Sequence, residues 1–333
     1  MKIQTLANKY RPKEFSDVVG QDVTVKILEN QIINKDFKNA LLFTGPAGVG
    51  KTTLATILAS KINGTITMID AATNNGVSDI KEIINSSKTS PLIGEYKVIV
   101  FDEAHCITPA AWSSFLITLE DPPAKTIFIF CTTDPQKIPN TILSRIQRFN
   151  LSRIPLNTIK ERLINILNIE KNNNPNITYT EEAIDYICKL CNGGLRDALT
   201  YVDKCLLYSD NIDLDNVQNS LDLVSFEIMF NLIDSIIDKN IKVIYDIVDV
   251  IYTKGYNFSL FTKQLTELIL DCILYITIQD SDDIFIPEQY ISKIKGTKEQ
   301  YLHILDRLVI LQEELKQNYN PKATFLSSLL LMI

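Results

Sequence analysis

The run Gly45-Pro46-Ala47-Gly48-Val49-Gly50-Lys51-Thr52 follows the apolar stretch Ala40-Leu41-Leu42-Phe43-Thr44 and fits G-x-x-x-x-G-K-[ST] in a strand-loop-helix setting. The glycines let the backbone curl so that successive N–H groups converge, making an anion nest at the positive end of the next helix. In that setting Lys51 reaches the β- and γ-phosphates, the Thr52 hydroxyl holds Mg²⁺, and Thr53 continues the helix start. The chemistry expected is binding of a nucleoside triphosphate.

A second apolar run, Lys97-Val98-Ile99-Val100-Phe101, leads into Asp102-Glu103-Ala104-His105. Asp102, at a strand end, is placed to bind Mg²⁺ directly or through water. Glu103 is placed to orient and deprotonate the attacking water, a task for a carboxylate beside the metal rather than on it. For His105 a helix-start or packing role competes with chemistry. A third strand, Thr126–Cys131, ends in Thr132-Thr133-Asp134-Pro135. Thr132 or Thr133 there can hydrogen-bond the γ-phosphate or the lytic water, and local turn capping is the alternative.

Two arginines complete the set. Arg145 follows the short helical stretch Pro139-Asn140-Thr141-Ile142-Leu143-Ser144, with Arg148 close behind. A guanidinium here suits stabilisation of phosphoryl-transfer charge in a neighbouring subunit, although a lone arginine at a helix end is ordinarily a solvated cap. Arg196 opens a helix after Asn192-Gly193-Gly194. A cation at a helix N-terminus is locally unfavourable, which is explained if Arg196 faces bound nucleotide while Asp197 satisfies the dipole.

The elements that must hold these residues follow from the hydrophobic pattern. Strands and helices alternate over 1–152, which predicts a three-layer α/β domain with a mostly parallel sheet and ligands at the carboxyl ends of its strands. Residues 153–210 read as helices only, a small lid: about Leu156–Asn168, then Thr180–Leu190 with Thr180 as N-cap and Glu181 and Glu182 in its first turn. Arg196 on that lid would couple nucleotide state to the angle between domains. The stretch Tyr208–Asp213 is the expected boundary. Beyond it, over 211–333, apolar spacing is helical throughout. Ile233, Ile236, Ile237, Ile241, Ile244, Ile247, Val248 and Ile251 cover more than one stripe. The terminal Phe325, Leu326, Leu329, Leu330 and Met332 extend the pattern, as bundle packing or as a subunit interface.

Bulk properties bound the partners. The chain has 333 residues, 46 % hydrophobic, with a formal net charge of −7, which disfavours coating of nucleic acid by bulk positive charge but leaves room for local contacts. No apolar run reaches the roughly 18 residues of a membrane span. The start Met1-Lys2-Ile3-Gln4-Thr5 lacks the apolar segment of a signal peptide, so a cytoplasmic location is expected. Six cysteines without that signal read as reduced, buried thiols. Cys188 and Cys191 form the one Cys-x-x-Cys, on a helix with no second ligand pair nearby, and read as core rather than metal site.

Together these motifs resemble the clamp-loader branch of the AAA+ ATPases, most closely the bacterial DNA polymerase III gamma/tau family. The resemblance opens with Leu6-Ala7-Asn8-Lys9-Tyr10-Arg11-Pro12 through Asp17-Val18-Val19-Gly20-Gln21 and runs through the motifs above. It adds Leu119-Glu120-Asp121-Pro122-Pro123 and is dense over about residues 5–205. It implies an AAA+ P-loop NTPase core, a small helical lid and an all-α collar that holds a ring or arc of subunits, five by family analogy. Tyr10, Arg11, Pro12, Val18 and Val19 would wrap the adenine base. ATP and Mg²⁺ are the implied ligands; the implied partners are sibling loader subunits, a sliding clamp and primer–template DNA.

Two departures stand out. The family's Ser-Arg-Cys reads Ser144-Arg145-Ile146, which keeps the charge chemistry. Where bacterial relatives insert a four-cysteine zinc module, Lys61-Ile62-Asn63-Gly64 passes straight into a strand, so no zinc is expected. The sequence also ends without the long tail of tau-type subunits. A short, Ile- and Asn-rich version of this kind suits an AT-rich bacteriophage or a divergent bacterium. For DNA, the helix starts at Thr108-Pro109-Ala110-Ala111 and Thr73-Asn74-Asn75-Gly76 with Ser78 are candidate phosphate contacts through backbone donors, supplemented by Lys81 and Lys88; ordinary capping is the alternative. Two other functions compete: a non-hydrolysing structural arm of the loader, and a related DNA-remodelling or branch-migration motor.

Overall fold

In the computed structural model, residues 4–91, 93–278, 284, 286–317 and 320–333 are described; Met1, Lys2 and Ile3 of the N-terminal stretch lie outside them. Chain contacts define two compact units, residues 1–169 with 190–202 and residues 170–189 with 203–333.

The first unit opens with a single turn, α1 (Leu6–Lys9), and a longer helix, α2 (Asp22–Asn34). Five strands follow: β1 (Ala40–Thr44), β2 (Gly64–Asp70), β3 (Tyr96–Asp102), β4 (Thr126–Thr132) and β5 (Gln147–Asn150). They alternate with α3 (Lys51–Lys61), α4 (Val77–Ser87), α5 (Pro109–Glu120) and α6 (Asn140–Leu143). All five strands are parallel, in the order β2-β3-β4-β1-β5.

The apolar runs are continuous because both faces of this sheet are covered. Leu41 and Phe43 of β1, with Ile127, Ile129 and Cys131 of β4, bury on one side with Leu54 and Leu58 of α3. Leu42, Phe128 and Phe130 bury on the other with Ile80, Ile84, Trp112 and Phe115 of α4 and α5. Trp112, Phe115 and Phe130 meet at ring-centroid distances of 5.1–5.6 Å. The three-layer core is therefore as the alternation predicts. The edge strand β5 was not foreseen: Gln147-Arg148-Phe149-Asn150 carries one buried residue, too little pattern to read.

Three helices continue the chain, α7 (Leu156–Asn173), α8 (Glu181–Leu190) and α9 (Leu195–Tyr208). The helix expected to end near Asn168 runs five residues further. Thr180 does cap α8, its Oγ1 accepting from Ala183 N–H at 3.3 Å. The stretch 153–210 is not purely helical. A two-residue strand, β6 (Thr178–Tyr179), pairs in parallel with β7 (Asn211–Ile212) inside the second unit. The expected boundary at Tyr208–Asp213 thus contains a strand, and residues 203–210 group with the helices that follow.

The rest of the second unit is helical: α10 (Leu214–Ser220), α11 (Phe226–Ile237), α12 (Ile241–Thr253), α13 (Phe258–Ile278), α14 (Glu288–Ile291), α15 (Lys298–Gln317) and α16 (Pro321–Leu330). Ile233, Ile236, Ile244, Val248 and Ile251 are buried as the spacing predicts, whereas Ile241 is exposed. Phe325, Leu329 and Met332 are buried, with Phe325 against Phe258 and Phe261 at 5.1 and 5.4 Å. Among the described residues no helix is long and apolar enough to cross a membrane. Cys131, Cys188, Cys191, Cys205 and Cys272 are buried, and burial pushes the Cys272 thiol up to about 12.

Candidate active site

Strand register brings the motifs level. Thr44 of β1 lies beside Thr132 of β4, and Asp70 of β2 beside Asp102 of β3, so the ends of β1, β3 and β4 open at one edge of the sheet. Gly45 N–H donates to Thr132 O at 3.2 Å, fixing where the phosphate loop leaves β1. Gly45, Gly48 and Gly50 take φ of 147°, 74° and 104°, which side chains rarely adopt. A Cβ on Gly45 would also meet Leu151 O at 2.3 Å.

At the start of α3, Lys51 is 7 % exposed and donates from Nζ to Gly45 O at 2.8 Å and Pro46 O at 2.7 Å. Burial lowers its pKa below the ordinary lysine value, opposed by the negative charge of Glu103 and Asp102. Thr52 Oγ1 donates to Asp102 Oδ2 at 3.1 Å, so a hydroxyl and a carboxylate from two elements share one point. Asp102 Oδ1 accepts from Glu103 N–H at 3.1 Å. Glu103 is in the left-handed region, φ 49° and ψ 45°, a local cost a non-glycine residue carries when the site around it fixes the direction of its side chain. Its Oε2 atom is buried and makes no hydrogen bond.

These features fit a magnesium–triphosphate. The oxygen pair of Thr52 and Asp102 is the hard donor set that Mg²⁺ prefers, and the loop carbonyls that now hold Lys51 Nζ are replaceable by phosphate oxygens. Thr52 and Asp102 would hold Mg²⁺, which when bound would offset negative charge developing on the phosphates.

A cavity of about 410 Å³ extends from this point. Ala47, Gly48, Val49, Gly50, Lys51, Thr52 and Thr53 line it together with Asp102 and Glu103. Tyr10, Arg11, Pro12, Val18 and Val19, the residues that the resemblance implies for the base, line it too, and Arg11 Nε reaches Thr53 Oγ1 at 3.3 Å. Arg196 also lines the cavity, and its backbone N–H donates to Gly48 O at 3.4 Å. The Gly193-Gly194 pair gains a reason here. Gly194 Cα would lie 3.3 Å from a Cβ on Gly48, and a Cβ on Gly193, at φ 81°, would meet Arg153 Cβ at 2.6 Å.

Six wall residues were not foreseen: Ala7, Asn8, Met68, Ile154, Leu195 and Leu199. Leu199 stands one helical turn beyond Leu195, a spacing that could have found it. Other expected residues lie apart from the wall. Gly45 and Pro46 serve through their carbonyls. Thr132 is fully buried at the end of β4, with Oγ1 accepting from Asp134 N–H at 3.0 Å, whereas Thr133 is exposed. Arg145 is outside the wall altogether. Its Nε donates to Glu120 Oε1 at 3.0 Å and its Nη1 to Thr141 O at 2.7 Å. Arg148, on β5, donates to Asn150 Oδ1 at 2.7 Å.

The two candidate phosphate-contacting helix starts differ. Thr108 caps α5 as expected, with Oγ1 accepting from Ala111 N–H at 3.3 Å and Pro109 at the first helical position. At α4 the cap is Gly76, and Asp79 accepts its N–H at 3.1 Å, which puts a carboxylate where an anion would dock. Thr108 N–H and Oγ1 both donate to Asn75 O at 3.2 Å, so the two helix starts are joined.

Comparison with known proteins places this arrangement. The sequence profile of the family described as DNA polymerase III, delta subunit, matches residues 64–155. DNA polymerase III subunit gamma of Buchnera aphidicola subsp. Baizongia pistaciae is 32 % identical over 73 % of this chain and 71 % of its own length. The chain belongs to the DNA polymerase III gamma/tau family. Another gamma/tau relative, DNA polymerase III subunit tau of Bacillus subtilis (strain 168), is 31 % identical over 98 % of the chain and 62 % of its own length. A third, subunit gamma/tau of Mycoplasma genitalium, is 31 % identical over 98 % of the chain and 61 % of its own length. The chain therefore spans about three fifths of those two gamma/tau proteins. These relatives are bacterial, which gives the bacteriophage origin no support. Among solved structures, the Thermotoga maritima RuvB Holliday junction branch migration motor matches 68 % of the chain and 79 % of its own, with a TM-score of 0.52 and 21 % identity. That likeness concerns the fold alone.

Proposed function

We propose that this chain is an ATP-hydrolysing subunit of a clamp loader, acting in an assembly that opens a sliding clamp and closes it on primer–template DNA. One observation carries the reading. Lys51, Thr52, Asp102 and Glu103 line one cavity together with Tyr10, Arg11, Pro12, Val18 and Val19, while Arg145 lies outside it. Lys51 and the loop amides would bind the triphosphate, with Gly45, Pro46, Ala47, Gly48, Val49, Gly50 and Thr53 shaping the cradle. Thr52 and Asp102 would hold Mg²⁺, Glu103 would take the proton of the attacking water, and Arg196 would face the phosphates. Thr132, buried at the strand end, fits the sensing role better than exposed Thr133.

Arg145 completes a site in an adjoining subunit. The chain carries both the acceptor half and the finger half, so two copies placed head to tail can complete a site, and neighbours include second copies of this chain. The domain limits proposed are 1–152 for the ATPase core, 153–210 for the lid and 211–333 for the collar. Of the two helix starts, α5 at Thr108 is the better one for duplex phosphates, since Asp79 guards α4. The proposed location is the cytoplasm.

The test is ATP turnover with a sliding clamp plus primed DNA, set against turnover with four-way junction DNA. Stimulation by clamp and primed DNA is expected. Stimulation by junction DNA alone would favour a branch-migration motor.

Lys51 supplies a second check. Lys51→Met removes a desolvated charge but also its bonds to Gly45 O and Pro46 O, two opposing effects, so Tm without nucleotide should change little. Saturating ATP–Mg²⁺ should stabilise the wild-type chain by about 2–3 kcal/mol at a hundred times Kd, and the variant hardly at all. Differential scanning fluorimetry reads both.

A further inference from the structure

His105 lies in the single 3₁₀ turn Ala104–Cys106 directly after Glu103. Its Nδ1 is 3.1 Å from Thr132 Oγ1 and 3.4 Å from Glu103 Oε2, and 19 % of its side chain is exposed. Glu103 lines the cavity and Thr132 does not, so the imidazole stands between the end of β4 and the carboxylate.

Proton placement decides what this contact does. Were the ring protonated on Nε2 alone, its Nδ1 lone pair would face the buried Glu103 Oε2, which makes no hydrogen bond, and repel it. With the proton on Nδ1, one N–H faces two acceptors: it bonds the Thr132 hydroxyl and leaves Glu103 Oε2 just beyond, attracted rather than repelled. Thr132 is itself fixed, since its Oγ1 also accepts from Asp134 N–H.

We propose that His105 is a positioning residue for ATP hydrolysis: anchored on Thr132, its Nδ1–H sets the direction of the Glu103 carboxylate. This rests on the ATPase reading above. His105 gives up and takes no proton in the reaction; the proton of the attacking water goes to Glu103. The left-handed backbone of Glu103 and the imidazole then act together on the carboxylate.

The tautomer can be read without any turnover. The chain has two histidines, so ¹⁵N-imidazole spectra of the full chain, with His303→Gln for assignment, resolve His105 at a pH where the ring is neutral. A protonated Nδ1 is expected; a protonated Nε2 overturns the proposal even if the chain hydrolyses no ATP. Kinetics give the second reading. His105→Leu should lower kcat about 10- to 100-fold with ATP affinity unchanged, the loss expected when a catalytic carboxylate is no longer held in direction. His105→Asn, whose side-chain amide nitrogen takes the place of Nδ1, should recover most of kcat, and His105→Gln should not. A wild-type kcat in His105→Leu, a loss of ATP affinity along with kcat, or failure of His105→Asn overturns the proposal. A wild-type chain that neither binds nor hydrolyses ATP would instead sink the ATPase reading.

Discussion

Glu103→Gln is expected to bind ATP as tightly as the wild-type chain and to hydrolyse it about 10²–10⁴-fold more slowly, the usual contribution of a positioned base. The substitution keeps size and shape and removes only basicity. The neighbours that set its direction, the Asp102 carboxylate accepting Glu103 N–H and the His105 ring, remain. Thr52 and Asp102 are untouched, so metal and phosphate binding should persist and the nucleotide should become trapped. Stopped-flow binding of a fluorescent ATP analogue together with steady-state phosphate release separates the two effects. Unchanged turnover and unchanged clamp loading would mean that the chain serves as a structural arm.

Arg145→Ala is expected to lower turnover of the assembled protein about 10³–10⁵-fold, the range for an arginine finger in phosphoryl-transfer switches. Nucleotide affinity of the chain that carries the substitution should not change, because Arg145 lies outside that chain's own cavity. Its side chain is already ordered by Glu120 and by Thr141 O, so little freedom would be lost were it to meet a neighbour's γ-phosphate. Glu120 is well exposed and screened by water, so it serves as a rest for the guanidinium and not as a strong competitor. Arg145→Lys should not rescue, since a point charge cannot reproduce the planar fork.

Much of this was legible in the sequence because the signals were local. The phosphate loop, the Asp102-Glu103 pair and the capping Thr108 each declare themselves within a few residues. The parallel core was readable because strands covered on both faces are apolar without interruption, as in Leu41-Leu42-Phe43 and Ile127-Phe128-Ile129-Phe130. What escaped was either too short or too distant. β5, β6 and β7 are of two to four residues, below the length at which alternation shows. The Arg145–Glu120 pair joins residues 25 apart, and His105 meets Thr132 across 27. Only the register of β3 and β4 makes the second contact. Asp79 was a missed local signal: a carboxylate three residues after Gly76 marks a satisfied helix start.

The central claim is that each site lacks one cation, which an adjoining copy supplies. It is tested most directly by mixing two full-length variants, Arg145→Ala and Glu103→Gln, each nearly inactive alone. In the mixture, an Arg145→Ala chain keeps its Glu103 and can receive Arg145 from a Glu103→Gln neighbour, so ATP turnover should reappear. A mixture as inactive as its components, or full turnover by Arg145→Ala alone, would contradict the account.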